Sequence, residues 1–143
     1  MIETGKKQEK VILVAAATEE IEKAERSLDE LGELVKTAGA EVCGRMIQAR
    51  DMIHTGTYIG SGKLDELKWL VWEKEADGIV CDDELSPVQL KNLEEALDCK
   101  IMDRTLVILD IFAARASTKE GKIQVELAQL KYRQSRLTGL GKI

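Results

Sequence analysis

The chain is poor in the residues that build metal centres, disulfide scaffolds and stacked aromatic surfaces. It has one histidine, one proline, one phenylalanine and three cysteines in 143 residues, and aromatic side chains make up only 3%. Cys43, Cys81 and Cys99 are odd in number and widely spaced, which excludes a closed disulfide framework and a CxxC-type zinc site. Cys43 and Cys81 lie in apolar runs and read as core thiols. A Ser-His-Asp or Cys-His centre would have to use His54, yet no spacing singles out a nucleophile beside it. His54 is therefore expected as an exposed loop residue. No apolar run approaches the ~20 residues that cross a bilayer, and Met1 to Lys10 lacks the apolar centre of a signal peptide. No membrane insertion is expected, and the expected compartment is the cytoplasm. A net charge of -5 argues against indiscriminate coating of nucleic acid.

What is present is an alternation of strand and helix signals. The length suits one compact unit, and 44% hydrophobic with 33% charged residues describes a well solvated globular chain. Val11 to Ala17 is a continuous apolar run, the pattern of a strand buried on both faces of a parallel sheet. Thr18 offers a helix N-cap, with Glu19 and Glu20 in the first turn where negative charge suits the dipole. Ile21, Ala24, Leu28, Leu31, Val35 and Ala38 then form one apolar stripe that stops at Gly39.

A second strand is expected around Glu41 to Gln48, then a polar loop to Gly60-Ser61-Gly62, and a helix from about Lys63 to Glu75 buried through Leu64, Leu67, Leu70 and Val71. Gly78 to Cys81 is a third strand. Ser86 and Gln89 form a capping box, with Pro87 at the first helical position where its missing N–H costs nothing. Lys100 to Met102 is a fourth strand, and Thr105 to Ala116 a helix buried through Ile108, Leu109, Phe112, Ala113 and Ala116. Successive strand–helix units predict an α/β fold: a four-stranded, mainly parallel sheet flanked by helices. Beyond Lys119 the pattern changes. Ile123, Leu127, Leu130, Gln134 and Leu137 mark a coiled-coil seam, which one helix cannot bury alone. Basic residues Lys119, Lys122, Lys131, Arg133, Arg136 and Lys142 there face only Glu120 and Glu126, so this segment is locally positive.

Several groups are candidates for chemistry. Gly60-Ser61-Gly62-Lys63 resembles a phosphate loop superficially, but GxxxxGK[ST] needs glycine and serine or threonine where this chain has Thr57 and Leu64. The segment reads as a glycine-rich turn and helix start, with an anion at the helix N-terminus as the other reading. Asp82, Asp83, Glu84 and Asp103 follow predicted strands, where ligands of open α/β sheets bind. A phosphoacceptor receiver would need acids after the first strand, where Ala15-Ala16-Ala17-Thr18 stands instead. The acids are expected to cap helices or pair with Arg104 and Arg115, with Asp103 and Asp110 as the partners. Arginine also suits phosphate recognition through paired parallel hydrogen bonds.

Asp82 to Gln89, Ile101-Met102-Asp103-Arg104-Thr105, Leu109 to Ala116, Glu120 to Tyr132 and Arg136-Leu137, with Tyr58 to Leu67 earlier, together resemble the HflX family of ribosome-binding GTPases. The resemblance covers most of the chain from Val11 onward. It implies a flexible N-terminus over 1–10, an α/β subdomain over 11–118, and over 119–143 the first helix and tip of a truncated helical hairpin. A loop at Arg136 to Gly139 would join that helix to a second one. The last helix is expected to fray, to pack on its own domain, or to self-associate with another copy.

The resemblance further implies docking on the large ribosomal subunit, with Lys131, Arg133 and Arg136 as rRNA contacts, and a role in splitting or rescuing stalled ribosomes. GTP and magnesium would belong to a downstream GTPase domain not contained in these residues, itself a partner, so no cofactor and no GTPase activity are expected of this chain alone. ATP is implied as a further ligand without assignable contacts. Two other classes fit the residues: an autonomous nucleotide-binding α/β domain using Gly60, Gly62 and Lys63, and a coiled-coil interaction module.

Overall fold

The computed structural model describes residues 8–141, with side chains described as far as Ser135. Strands β1 (Lys10–Ala17), β2 (Glu41–Ala49), β3 (Gly78–Cys81) and β4 (Lys100–Asp103) form one sheet in the order β2-β1-β3-β4. All three pairings are parallel. Helices α1 (Ile21–Thr37), α2 (Ser61–Lys74) and α3 (Pro87–Leu97) connect the strands; α4 (Arg104–Arg115) and α5 (Lys119–Gly141) follow.

Alternation along β1 divides the core in two. Ile12, Val14 and Ala16 point to the face covered by α2 and α3, where they meet Leu67, Val71, Leu93 and Leu97. Val11, Leu13 and Ala15 point to the other face, against Leu28, Leu31 and Val35 of α1 and Val107 and Ile111 of α4. Every β1 residue from Val11 to Ala17 is buried, as the unbroken apolar run predicts. Each fully buried Leu, Ile or Val contributes about 1.5–3 kcal/mol from desolvation.

Local signals set the helix starts. Ser86 Oγ accepts from Gln89 N while Gln89 Oε1 accepts from Ser86 N, completing the capping box with Pro87 at the first position. α1 starts later than its polar prelude suggests: Glu20, not Thr18, is the N-cap, and no side chain caps it. Its carbonyl takes the Lys23 and Ala24 amides, so the backbone alone makes the start. α2 begins at Ser61, two positions before Lys63, because Gly60 itself is the cap residue.

Two expectations are corrected towards the C-terminus. Asp103 Oδ1 accepts from Leu106 N, which starts α4 directly out of β4 and fixes its rotation. That rotation buries Val107 and Ile111 rather than the predicted stripe; Ile108, Leu109, Ala113 and Ala116 are half-buried and Phe112 is 56% exposed. The α5 backbone also runs as helix through Arg136 to Gly139, where a loop was expected. No proline removes an amide there, and glycine weakens a helix by only about 1 kcal/mol each. Of the fates open to this helix, it packs on its own domain, against α3 and α4.

The closest backbone approach is at Gly78, where a Cβ would sit 2.4 Å from the Lys100 carbonyl oxygen on the neighbouring strand. Gly78→Ala is expected to destabilise by about 1–3 kcal/mol in urea unfolding. Gly62→Ala, whose Cβ meets nothing within 4 Å, is expected to be neutral or stabilising.

Candidate functional site at the carboxyl edge of the sheet

The strand order reverses at β1: α1 carries the chain to β2 on one side, and α2 carries it back across to β3 on the other. The carboxyl ends of β1 and β3 therefore flank the crevice where open α/β sheets bind ligands. It has a volume of about 180 Å³ and is lined by Ala15 to Glu20 together with Ser27, Asp82 and Asp83.

The loop between β2 and α2 backs one wall, through Tyr58 and its bonds to Ala16 and Asp83 of the lining. His54 and Tyr58 form an isolated bridge, and His54 Nδ1 accepts the Gly56 and Thr57 amides at 3.0 and 3.1 Å. Those donors leave the ring proton on Nε2. Gln89 Nε2 donates to the His54 carbonyl at 2.8 Å and Asn92 Nδ2 to that of Gly56 at 2.9 Å, so α3 holds the loop. His54 is thus a half-buried loop organiser, not the exposed residue expected. Tyr58 at the loop's end has φ 69° and is buried. Its hydroxyl donates to Asp83 Oδ2 at 2.6 Å and accepts from Ala16 N at 3.2 Å. Burial above all, with the hydrogen bond to Asp83 and its negative charge adding to it, pushes the phenol far above its ordinary value and keeps it a donor.

On the other wall, Asp82 Oδ1 accepts Arg104 Nη2 at 2.7 Å and Nε at 3.2 Å, while Oδ2 accepts Ser27 Oγ at 2.6 Å. Arg104 Nη2 also donates to the Ser27 carbonyl at 3.0 Å. The Arg104 partner is therefore Asp82 rather than Asp103, because α4 turns Arg104 back over the end of β3. Asp103, 4% exposed, accepts the Leu85 and Leu106 amides and the Tyr132 hydroxyl. Asp110 accepts from Gln129 Nε2 of α5 rather than from Arg115. Arg115 lies exposed in the last turn of α4, where positive charge suits the dipole, and forms no ion pair among the described residues.

The glycine-rich segment is committed locally. Gly60 N donates to Gln48 Oε1 at 2.8 Å, and a Cβ on Gly60 would lie 2.6 Å from Arg50 Nη1. Lys63 Nζ lies 3.3 Å from Glu66 Oε1. In the crevice, Glu19, Glu20, Asp82 and Asp83 outnumber Lys23, which is itself 3.1 Å from Glu19. That field repels a phosphate-rich ligand. The thiols supply no nucleophile: burial pushes Cys81 well up, with Asp103 adding to it, and burial likewise raises Cys43 and Cys99.

A second cavity, about 300 Å³ and mostly apolar, lies beneath α5, with Leu85, Met102, Asp103, Leu106, Tyr132 and Arg133 among its lining. Lys131 and Arg133 are exposed on α5, whereas the Arg136 side chain falls outside the described residues. Reasoning from spacing gave no role to Ser27, Tyr58 or Tyr132, although both tyrosines lie in the motifs that carry the resemblance. Arg104→Ala strips a largely buried Asp82 of its partner and is expected to destabilise by about 2–4 kcal/mol in urea unfolding. Arg104→Lys, which keeps the charge but loses the paired bonds, is expected to recover part of that.

Residues 25–113 match the family model for the GTP-binding GTPase N-terminal region, and residues 115–143 that for the GTP-binding GTPase middle region. The chain is 64% identical over 140 residues to GTPase HflX of Lacrimispora saccharolytica, covering 98% of this chain and 33% of that protein. It is 53% identical over 141 residues to GTPase HflX of Caldanaerobacter subterraneus, covering 99% and 32% respectively. It therefore spans about a third of the length of these relatives. The fold matches a GTP-binding protein of Sulfolobus solfataricus solved with GDP, with a TM-score of 0.67 and 27% identity over 95% of this chain and 40% of that one. It also matches the SsGBP–GDP complex, with a TM-score of 0.71 and 26% identity over 92% and 37%. With both family models matched in order along it, the chain belongs to the HflX family of GTP-binding GTPases.

Proposed function

We propose that this chain is the ribosome-docking and regulatory portion of an HflX-type GTPase, which places its long helix on the large ribosomal subunit and helps separate stalled ribosomes in the cytoplasm. The carrying observation is the attachment of α5. Tyr132 and Gln129 bond to Asp103 and Asp110 at the domain's edge, while Lys131 and Arg133 remain exposed on the same helix. A helix held at two polar points presents its cations in a fixed direction, and phosphate contacts by Lys and Arg dominate affinity for RNA. Lys131, Arg133 and Arg136 are the rRNA contacts in this reading. In this reading residues 11–118 act as the platform and 119–143 as the arm.

GTP and magnesium do not fit the residues present. The P-loop pattern fails at Thr57 and Leu64, Lys63 is paired with Glu66, and the crevice at the switch point is lined by carboxylates. Nucleotide handling is therefore assigned to a GTPase domain outside these residues, and an ATP site in this chain is disfavoured on the same grounds. Ile123, Leu127 and Leu130 are 55%, 50% and 62% exposed, an apolar seam suited to a second helix of the hairpin. Pairing of two copies through the seam is the competing use; Leu130→Asp would abolish it.

Co-sedimentation with purified large subunits over a salt series tests the docking. Binding is expected to saturate, to weaken steeply with salt, and to fall about tenfold or more for Arg133→Ala/Arg136→Ala, with a shallower salt slope. A folded chain that does not bind, or a variant that binds unchanged, overturns the assignment. Tyr132→Phe removes one attachment of α5 and is expected to speed amide hydrogen exchange along α5 while leaving β1 to β4 protected.

A further inference from the structure

The chain's two tryptophans, Trp69 and Trp72, are 58% and 76% exposed on α2, at a spacing that makes them neighbours on one helix face. Leu67 and Val71 on the same helix are buried in the core, so α2 has its apolar stripe without them. Tryptophan held in water at two adjacent positions gains nothing for the fold, and tryptophan is enriched where protein surfaces meet.

Trp72 borders a groove of about 600 Å³ between the C-terminal ends of α2 and α3, at the end of the sheet opposite the crevice. Val71, Ala76 and Leu97 give the groove an apolar floor. Glu73, Glu75 and Asp98 stand around it with a single ammonium, Lys68. None of these four charges forms an ion pair among the described residues. Two of the acids are held against local preference. Glu75 and Asp98 are the C-caps of α2 and α3, with φ of 53° and 51°, where glycine is favoured and where negative charge opposes the helix dipole.

The charge of the groove decides between partners. Three carboxylates and two helix C-termini repel phosphate, so the surface does not suit RNA. Lysine and arginine suit it: their charge meets the carboxylates, their aliphatic stems meet the floor, and their cationic ends meet an indole face.

We propose that the groove beside Trp72 docks a basic segment of a separate protein, one that carries arginine or lysine interspersed with aliphatic residues. This site lies away from the arm assigned to RNA and does not depend on that assignment.

Trp72 lines the groove, and Trp69 is its neighbour one turn away on α2, so tryptophan emission reports binding there. The chain would be titrated with a synthetic peptide alternating arginine and leucine, with the same peptide carrying glutamate for arginine, and with single-stranded polyuridine. The basic peptide is expected to shift the emission saturably, binding about tenfold or more tighter than either control. Trp72→Ala would be followed by peptide anisotropy and is expected to weaken binding about tenfold. Glu75→Gly/Asp98→Gly separates binding from folding, because glycine suits both backbone positions: it is expected to unfold no more easily than the parent yet lose most of the affinity. Equal binding of polyuridine or the acidic peptide, no binding of any probe, or full affinity in the glycine variant overturns the proposal.

Discussion

The carboxylate of Asp103 is the constraint on which the C-terminal half of the structure depends. It leaves the end of β4 buried and takes donors from three directions: the loop that leads into α3, the first turn of α4 and the side of α5. Each donor to a buried carboxylate matters, since losing one leaves a desolvated acceptor short of a partner at a cost of about 1–3 kcal/mol. The direction of the long helix is therefore coupled to the packing of the sheet rather than left to an isolated surface contact. The cavity under α5 lies directly beside this bond.

The same logic empties the switch-point crevice of spare chemistry. Asp82 is taken by Arg104 and Ser27, Asp83 by Tyr58, and Lys23 by Glu19. Parallel α/β sheets commonly hold a ligand here, but in this chain the polar groups bind one another and stitch β1, β3, α1 and α4 together. A platform of this kind suits recognition by its outer surfaces, and the exposed features agree: a basic arm on α5 and an acidic, tryptophan-bearing groove at the far end of the sheet.

Much of the fold was legible because its signals are local. The apolar run of β1, the Ser86–Gln89 box with Pro87, and the stepped apolar residues of α1 each encode their own element. The misreadings concern rotation and partnership, which are set across the fold. Phe112 looked like a core residue on spacing, but the Asp103 cap turns α4 so that Val107 and Ile111 face the sheet. Arg104 stands beside Asp103 in sequence yet bonds to Asp82, twenty-two residues away. His54 has no sequence signal at all, since its role rests on amides of its own loop and on side chains from α3. The candidate site was harder to read than the fold because its residues come from four separate turns.

In the proposed docking the basic side of α5 touches RNA while the α/β layer supports it. A photo-crosslinking amino acid placed at Lys131, with a control at the exposed Glu33 on α1, tests this on purified large subunits. Crosslinks to large-subunit rRNA are expected from position 131 and none from position 33. Crosslinks to rRNA from position 33 alone, or none from position 131 under conditions where the chain co-sediments, would contradict it.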